Sequence, residues 1–224
     1  MVRVYSLDIG GLTFDELLQD FKHTVHPGII NKAKRFKNDK DKLRSLSAAV
    51  LLRYALKKDF DLLHPAPFPC TPKGKPYYSV DGHEFNTTHG KDRVVVATAE
   101  TPVGVDVEPK RKNRIKVAER FFSPQELEKI KQSHDKDACF TTFWCIKESF
   151  LKYTGDGLTS PLSSFTVKNN DSEYKIMQGN MENNQVKIRY QRDEEDYFYA
   201  VCHAASEKFS SIYQTSYKKL LELK

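Results

Sequence analysis

The sequence has few cysteines, no long apolar run and no segment dominated by glycine, proline or serine. The four cysteines, at positions 70, 139, 145 and 202, form no CxxC pair and no cysteine–histidine pair with zinc-finger spacing. A disulfide framework and a structural zinc site are therefore not expected. Apolar runs such as 47–52 are too short to cross a bilayer, and the N-terminal MVRVYSLDIG lacks a signal-peptide core. We expect a cytoplasmic protein that does not interact with membranes.

The sequence does contain enough apolar and aromatic side chains to build a folded core. Hydrophobic residues make up 39% of the 224 positions and aromatic residues 12%, a length that suits one large domain or two of about 110 residues. The net charge of +6 and the pI of about 9.0 fit a nucleic acid, an acidic protein or a polyanionic small molecule as partner. Composition alone does not choose among these three.

Hydrophobic periodicity predicts helices and strands in both halves of the chain. The expected helices cover residues 45–56, 115–121, a segment starting at the Ser123-Pro124 cap, and 136–153. The expected strands cover the N-terminal segment and residues 83–89, 93–98, 102–107, 164–167, 174–177, 186–190 and 197–204. The two halves are loosely similar in the order of these elements. The pattern is that of an α+β protein.

The segment GVDVEP places two carboxylates on the same face of a predicted strand. Because alternate side chains of a strand point to the same side, Asp106 and Glu108 lie together, with Cα atoms about 6.5 Å apart. Two carboxylates at this distance suit Mg²⁺, which prefers one or two carboxylates together with substrate phosphates. An edge strand with a polar face is the alternative, since a DxE pair is common.

A third acidic residue, Glu148, lies on the predicted helix WCIKESFLK. Trp144, Glu148 and Lys152 are spaced i, i+4 and i+8 and therefore share one face, opposite an apolar stripe. Glu148 is a candidate third acidic ligand or base, with Lys152 one turn away to hold a phosphate. The alternative is a solvated Glu–Lys pair worth a few tenths of a kcal/mol.

Taken together, the two segments resemble a family signature. The chain reads GVDVE, then 35 residues, then WCIKESFLK, which is similar to the Gly-x-Asp strand and Trp/Phe-x-x-Lys-Glu-x-x-x-Lys helix of 4′-phosphopantetheinyl transferases. Shorter matching elements are Lys73–Pro76, Asn86–His89, Arg120–Ser123 and Gly157–Leu162. The resemblance is to the larger, surfactin-synthetase-activating type. It implies two pseudo-symmetric α/β halves, each an antiparallel sheet packed with helices, over residues 1–105 and 106–224.

The resemblance also implies an activity and its partners. Enzymes of this family transfer 4′-phosphopantetheine from coenzyme A to a serine of an acyl or peptidyl carrier protein and release adenosine 3′,5′-bisphosphate. Asp106, Glu108 and Glu148 would bind Mg²⁺, with Mn²⁺ as a substitute, in the C-terminal half. Glu148 would be the general base, and a metal-bound water ordered by Glu108 is the alternative proton acceptor. Lys152 and Asp106 would complete the catalytic set, and we expect a monomer.

Coenzyme A binding is expected to involve several cations of the N-terminal half. By the resemblance, the cofactor-contacting residues are Lys32, Arg44, Lys75, Pro76, Thr88, His89 and Lys152. The first half would thus hold the adenine and the 3′-phosphate. Ile29 stands where some relatives carry a second basic residue, and Lys34 or Arg35 would have to compensate.

Two other functions remain open on the residues alone. The basic run from Lys32 to Arg44 suits a nucleic-acid binder, but it is interleaved with acidic residues and explains none of the carboxylates, so we expect no nucleic-acid partner. A Mg²⁺-dependent hydrolase of nucleotide pyrophosphates would use the same carboxylates without a carrier protein. The run KRKNR after Pro109 is either a docking surface for an acidic carrier protein or a solvated loop.

Overall fold

The computed structural model describes residues 1–62, 68–78, 82–155, 161–170 and 173–223. The helices in this part are α1 Phe14–Phe21, α2 Pro27–Lys34, α3 Asp39–Phe60, α4 Ile115–Phe121, α5 Pro124–Gln132, α6 Lys136–Thr154 and α7 Tyr217–Leu220. The strands are β1 Val2–Asp8, β2 Glu84–Gly90, β3 Arg93–Ala99, β4 Val103–Pro109, β5 Thr166–Asn170, β6 Glu173–Gln178, β7 Met181–Glu182, β8 Val186–Arg192, β9 Tyr197–Ala204 and β10 Phe209–Thr215. The predicted α+β class is confirmed.

The described strands form three sheets, in the orders β10-β1-β3-β2, β4-β9-β8 and β5-β6-β7. All pairings are antiparallel except that of β1 with β10, which is parallel. Helix α3 packs on one face of the first sheet, and α1 and α2 pack against α3. The other face of that sheet packs against the β4-β9 sheet through valines such as Val4, Val95 and Val105. Helix α6 covers the outer face of the second sheet, so the site lies where two packed sheets meet their helices.

The division of the chain at residue 105 falls inside a strand. All of β4 pairs with β9 in the second sheet, beginning at Val103. Strand β10, from the second half, adds to β1 of the first half. A division by strand pairing would therefore cut the chain before Val103 and return β10 to the first sheet. The boundary between residues 1–105 and 106–224 stays a prediction.

Several elements extend beyond, or fall outside, those predicted. Helix α3 begins at Asp39 rather than residue 45, because the Asn38 side chain accepts from the Lys40 amide and two aspartates occupy the first turn. The first turns of α3 are charged, so an apolar pattern did not predict that they are helical. Helices α1, α2 and α7 and strand β10 were not predicted. The Ser123–Glu126 capping box and the end of α6 at Gly155, with φ 74°, are both confirmed.

Within the described residues, no helix is long and apolar enough to cross a membrane. Of the elements that carry the family resemblance, residues 157–160 of Gly157–Leu162 lie outside the part of the chain that the structure describes.

Candidate active site

The site is built on the close approach of β4 to α6. A Cβ atom at Gly104 would lie 2.0 Å from the Ser149 carbonyl oxygen and 2.3 Å from the Tyr153 amide nitrogen. Only glycine permits this contact, because real Cβ atoms do not approach backbone so closely. The strand and the helix therefore touch backbone to backbone. This contact brings Lys152 of α6 beside Asp106 of β4.

Asp106 is buried and held by two donors. Its Oδ1 accepts from Lys152 Nζ at 2.6 Å and from Thr88 Oγ1 at 3.1 Å, while Lys152 also reaches Thr88 Oγ1 at 3.0 Å and the Val105 carbonyl at 3.1 Å. Burial opposes the Lys152 charge, but the Asp106 carboxylate holds the pKa of Lys152 above its usual range. The second oxygen of Asp106, Oδ2, is buried and has no hydrogen-bond partner among the described residues. Buried polar atoms normally have a hydrogen-bond partner, so the unpaired Oδ2 is a position that a donor or a cation would stabilise.

Glu108 lies two residues further along β4 and bonds to Arg111. The Arg111 guanidinium donates to Glu108 Oε1 and stacks on the Trp144 ring, with 4.9 Å between the guanidinium carbon and the ring centroid. Burial raises the pKa of Glu108, the Arg111 bond opposes that rise, and the charge of Asp106 adds to it. Trp144 in turn stacks on Phe140 with ring centroids 5.8 Å apart. The guanidinium therefore lies on the face of a stacked aromatic pair, Trp144 and Phe140.

Glu148 faces the same cleft from α6. Burial raises the pKa of Glu148, and the negative charge of Asp106 raises it further, against the cations Lys152 and Arg111. A carboxyl group with a raised pKa is a suitable proton acceptor near neutral pH, because it binds a proton more readily than an exposed glutamate does. Its neighbour Lys147 points elsewhere, into a fully buried ion pair with Glu126 at 2.9 Å.

The three acidic residues line one cleft of about 430 Å³, here called the carboxylate cleft. Its other lining residues are Ala48, Thr87, Thr88, His89, Arg111, Trp144 and Lys152. Within the described residues, no three acidic, histidine or cysteine side chains converge closely enough to form a complete metal site by themselves. The unpartnered Asp106 Oδ2 and the raised pKa values of Glu108 and Glu148 nevertheless mark a cluster that would favour an added cation.

A wider cleft of about 700 Å³ adjoins the carboxylate cleft and shares Ala48, Thr87 and His89 with it. Lys32 and Pro76, both predicted cofactor contacts, line this wide cleft. His89 therefore stands between the two clefts. Burial lowers the pKa of His89, and the nearby charges of Arg44 and Lys152 lower it further. A positive environment at this junction suits an anionic ligand that spans both clefts.

Arg44 lies at a third depression of about 570 Å³, here called the basic cleft. It is lined by Arg44, His89, Gly90, Lys91, Glu108, Pro109, Lys110, Arg111, Lys112 and Arg114. Arg44 donates to the Lys91 carbonyl at 2.7 Å and to Asp41 at 2.8 Å. The basic cleft meets the carboxylate cleft at His89, Glu108 and Arg111. The run KRKNR therefore borders the site.

The structure does not bring the Lys75 ammonium into these clefts. Its Nζ lies 3.3 Å from the Val103 carbonyl and 3.5 Å from that of Tyr153, at the C-terminal end of α6. A cation there favours the helix dipole, and burial lowers the pKa of Lys75. A direct contact of this ammonium with a cofactor stays a prediction. Lys34, offered as a compensating cation, lines a separate depression beside α1.

Sequence reasoning named Asn86 in a matching element and Arg111 in a basic run but did not predict their contacts at this site. Asn86 accepts from the Val105 amide at 2.9 Å, which ties β2 to β4 beside Asp106. Arg111 was placed in a docking run, whereas its side chain lies against Glu108 and Trp144. No spacing rule indicates either contact, because both depend on strands and loops that meet only in the folded protein.

The fold and the site define an α+β protein whose acidic cluster opens onto a cationic cleft, an arrangement suited to a polyphosphate substrate. Residues 102–202 match the family model described as the 4′-phosphopantetheinyl transferase superfamily. A 4′-phosphopantetheinyl transferase of Bacillus subtilis is 33% identical over 195 residues, covering 85% of this chain and 87% of that one. The 4′-phosphopantetheinyl transferase Sfp of Bacillus subtilis (strain 168) is 28% identical over 98% of this chain and 100% of its own.

The chain belongs to the 4′-phosphopantetheinyl transferase superfamily. The end-to-end match to Sfp confirms the larger, single-chain type indicated by the motifs. Enzymes of this family use coenzyme A and act on carrier proteins, so the predicted enzyme class is confirmed. The solved structure of Thermotoga maritima holo-(acyl-carrier-protein) synthase aligns with 48% of this chain and 65% of that one, at 18% identity and a TM-score of 0.41.

Proposed function

We propose that the carboxylate cleft transfers 4′-phosphopantetheine from coenzyme A to a serine of an acyl or peptidyl carrier protein. The observation that carries this proposal is that Asp106, Glu108, Glu148 and Lys152 line one cleft that continues into the wide cleft. An elongated cofactor with a pyrophosphate at its centre and a further phosphate at one end matches this shape and charge. Carrier proteins would approach from the open side.

In this proposal, coenzyme A lies across both clefts. Lys152 binds the pyrophosphate, because its ammonium is already oriented by Asp106 and Thr88. Thr88 and His89 contact the cofactor where the two clefts meet. Lys32 and Arg44 supply cations for the 3′-phosphate, and Pro76 packs near the adenine. Lys75 would contact the cofactor through its backbone beside Pro76, whereas its ammonium lies against the Val103 and Tyr153 carbonyls.

Asp106, Glu108 and Glu148 would hold Mg²⁺, or Mn²⁺ in its place. The unpartnered Oδ2 of Asp106 and the crowded negative charge fit such an ion, and Mg²⁺ binds readily to a few carboxylates together with phosphate oxygens. When bound, the ion neutralises charge that develops on the pyrophosphate as its bond breaks.

The protein groups perform the remaining steps. The carrier serine oxygen bonds to the phosphorus that bears pantetheine, and the bond from that phosphorus to the bridging oxygen breaks. Adenosine 3′,5′-bisphosphate leaves with the electron pair. Glu148 accepts the serine proton, since burial and the charge of Asp106 raise its pKa toward neutrality. Lys152 stabilises the oxygen that gains charge.

We also propose that the chain acts as a cytoplasmic monomer. Every residue assigned to the site comes from one chain, so no partner copy is needed to complete it. Lys112 at the edge of the basic cleft, together with Lys110, whose Nζ lies 2.6 Å from Asp135 Oδ2, would then be uncovered to meet an acidic carrier protein. Sedimentation of the purified protein at several concentrations tests this state, and a concentration-dependent dimer would contradict it.

The decisive experiment incubates the protein with coenzyme A, Mg²⁺ and a panel of apo carrier proteins. We expect one carrier to gain the mass of one phosphopantetheine, with adenosine 3′,5′-bisphosphate in equal amount. Release of the bisphosphate without any carrier would instead indicate a pyrophosphate hydrolase. If no fatty-acid, polyketide or peptide carrier gains phosphopantetheine and no bisphosphate is released, the proposal is overturned. Omitting Mg²⁺ and adding EDTA tests the metal assignment.

A further inference from the structure

Arg111 contacts an acidic residue that the proposed function assigns to a metal ion. Its guanidinium donates to Glu108 Oε1, although the two residues are only three apart at the end of β4. The side chain is about one-third exposed, whereas that of Glu108 is 13% exposed. Arg111 therefore covers a nearly buried carboxylate. The Arg111 guanidinium thus already occupies the side of Glu108 that an added metal ion would bind.

Asp106 is neutralised in the same way from the other side. Lys152 Nζ lies 2.6 Å from Asp106 Oδ1. The cluster thus carries two internal cations for three carboxylates, and one oxygen, Asp106 Oδ2, has no partner among the described residues. A divalent ion that binds Glu108 has to compete with Arg111 for it. Such competition weakens binding, because the Arg–carboxylate bond must break first.

We infer that Arg111 is a positioning residue whose guanidinium binds Glu108 while no metal is bound. When a metal ion binds Glu108, the guanidinium moves to the phosphates of the cofactor. The inference rests on the proposed metal site. Arg111 gives the protein weak affinity for the metal alone and a higher affinity once coenzyme A is present. Metal and cofactor then bind as a coupled pair.

The position of Arg111 supports a change of partner. Its side chain lines both the carboxylate cleft and the basic cleft, so a phosphate oxygen at their junction lies on the same side as Glu108. The guanidinium stacks on Trp144 at 4.9 Å, and a flat aromatic face lets a guanidinium shift across it without losing contact. The Arg111 Nε is buried without a partner among the described residues, which leaves donor capacity for a phosphate.

A purely structural role for Arg111 predicts a different outcome. If the side chain only anchored the loop after β4, its loss would weaken binding of the metal and of coenzyme A together. The competition described here predicts opposite signs. Without the guanidinium, the metal alone binds more tightly, because Glu108 is free and the cluster is more negative. Coenzyme A alone binds more weakly, because a phosphate partner is gone.

The test compares the wild-type protein with Arg111→Met, Arg111→Lys and Lys112→Met. Lys112 lines the basic cleft on the same loop, so its change removes an equal charge close to the site. Binding of Mn²⁺ is titrated by the electron paramagnetic resonance signal of the free ion, with and without coenzyme A and without a carrier protein. Binding of coenzyme A is measured by calorimetry in EDTA.

We expect Arg111→Met to bind Mn²⁺ alone about tenfold more tightly than the wild-type protein, which corresponds to ~1.4 kcal/mol. Coenzyme A alone should bind several-fold more weakly, and its enhancement of Mn²⁺ binding should shrink. Lys112→Met should leave the Mn²⁺ affinity within about twofold of wild type, a difference below 0.5 kcal/mol. Equal or weaker Mn²⁺ binding by Arg111→Met would overturn the inference.

Arg111→Lys keeps the test valid if Arg111→Met fails to fold. A lysine keeps the charge but not the planar fork, so it should hold Glu108 less firmly and give a smaller change of the same sign. Wild-type protein that binds no Mn²⁺ even with coenzyme A would refute the proposed metal site itself. Wild-type binding with no difference between the Arg111 variants and Lys112→Met refutes the role of Arg111 alone.

Discussion

The two ends of the proposed cofactor cleft hold their charges in different ways. At the carboxylate end, Asp106 is 4% exposed and accepts hydrogen bonds from Lys152 and Thr88 inside the protein. At the other end, Lys32 is exposed on α2 and Arg44 bonds to a surface carbonyl and to Asp41. The first end is a buried network, whereas the second combines the exposed Lys32 with the half-buried Arg44.

This difference predicts how each end responds to substitution. A buried network depends on backbone contacts such as that of Gly104 with α6, so its groups cannot move to compensate for a change. Long exposed cations reach a phosphate from several positions and are screened by salt. Substitutions should therefore have large effects at the carboxylate end and small effects at the basic end.

The largest effect should come from Glu148→Gln. The amide keeps the shape of the side chain but cannot accept the serine proton, and positioned bases contribute about 10²–10⁴-fold to rate. We expect kcat for phosphopantetheine transfer to fall by at least about a hundredfold, within that range, while coenzyme A still binds. Single-turnover mass spectrometry of the carrier measures the rate. Exposed Glu222 offers a control, since Glu222→Gln should retain wild-type kcat. A Glu148→Gln enzyme of near wild-type rate would remove Glu148 from catalysis.

The next effect concerns stability beneath the carboxylate end. Lys147 and Glu126 are fully buried, and Lys147 Nζ also donates to the Leu162 and Phe165 carbonyls at 2.7 Å each. Lys147→Met leaves the Glu126 carboxylate without its cation, and breaking such a buried pair costs about 3–5 kcal/mol. Urea unfolding measures the change in the free energy of unfolding.

The exposed pair Lys131–Glu119 provides the matched control for Lys147. Its side chains are 48% and 49% exposed and lie 3.5 Å apart. Lys131→Met should change the free energy of unfolding by less than about 1 kcal/mol. Adding Glu126→Gln to Lys147→Met should restore part of the loss, because the unpaired charge is gone. Equal costs for Lys147→Met and Lys131→Met would show that burial does not determine the cost of losing an ion pair in this protein.

At the carboxylate end, the faces occupied by the acidic side chains could be predicted because that information is local. Asp106 and Glu108 follow from strand alternation, and Trp144, Glu148 and Lys152 follow from helical spacing. The capping box of Ser123 and the glycine end of α6 are likewise local rules. Such rules relate residues a few positions apart. They therefore predict which face a side chain occupies before the fold is known.

The basic end could not be predicted in the same way. Helix α2, which carries Lys32, has eight residues and a weak apolar pattern. Long-range contacts elsewhere were equally hidden, since the Lys75 ammonium reaches carbonyls 28 and 78 positions away and Arg111 meets Trp144 from a different part of the chain. The parallel pairing of β10 with β1 joins opposite ends of the chain. Contacts of this kind depend on tertiary packing, which no local pattern encodes.

A smaller effect should distinguish two lysines of α2. Lys32 lines the wide cleft, whereas Lys34 lines the depression beside α1. Lys32→Ala should raise the KM for coenzyme A up to about fivefold, as an exposed ion pair worth up to ~1 kcal/mol would. Lys34→Ala removes the same charge from the same helix and should leave this KM unchanged. Steady-state kinetics at low salt measure the KM for coenzyme A of both variants. The same KM for Lys32→Ala and Lys34→Ala would exclude Lys32 from cofactor binding.

The smallest effect is a dependence of stability on pH at the carboxylate end without metal. Burial and the charge of Asp106 raise the pKa of Glu148 above its ordinary value of 4.5. Between pH 4.5 and the higher pKa of Glu148 in the folded protein, the folded state binds more protons at this site than the unfolded chain does. The free energy of unfolding therefore falls as the pH rises through this range. The full penalty is present above the folded pKa and absent below 4.5.

Glu148→Gln removes this penalty, since the amide does not ionise. In EDTA the variant should therefore be more stable than the wild-type protein at pH 7.5, and the difference should vanish as the pH falls below 4.5. Urea unfolding of both proteins across this range measures the difference, with Glu222→Gln as the reference for an exposed carboxyl. At the basic end, Lys32→Ala removes an exposed side chain away from the three carboxylates and should show no such slope. A wild-type protein more stable than Glu148→Gln at neutral pH in EDTA would mean that the internal cations, Lys152 and Arg111, already outweigh the crowding of the three carboxylates.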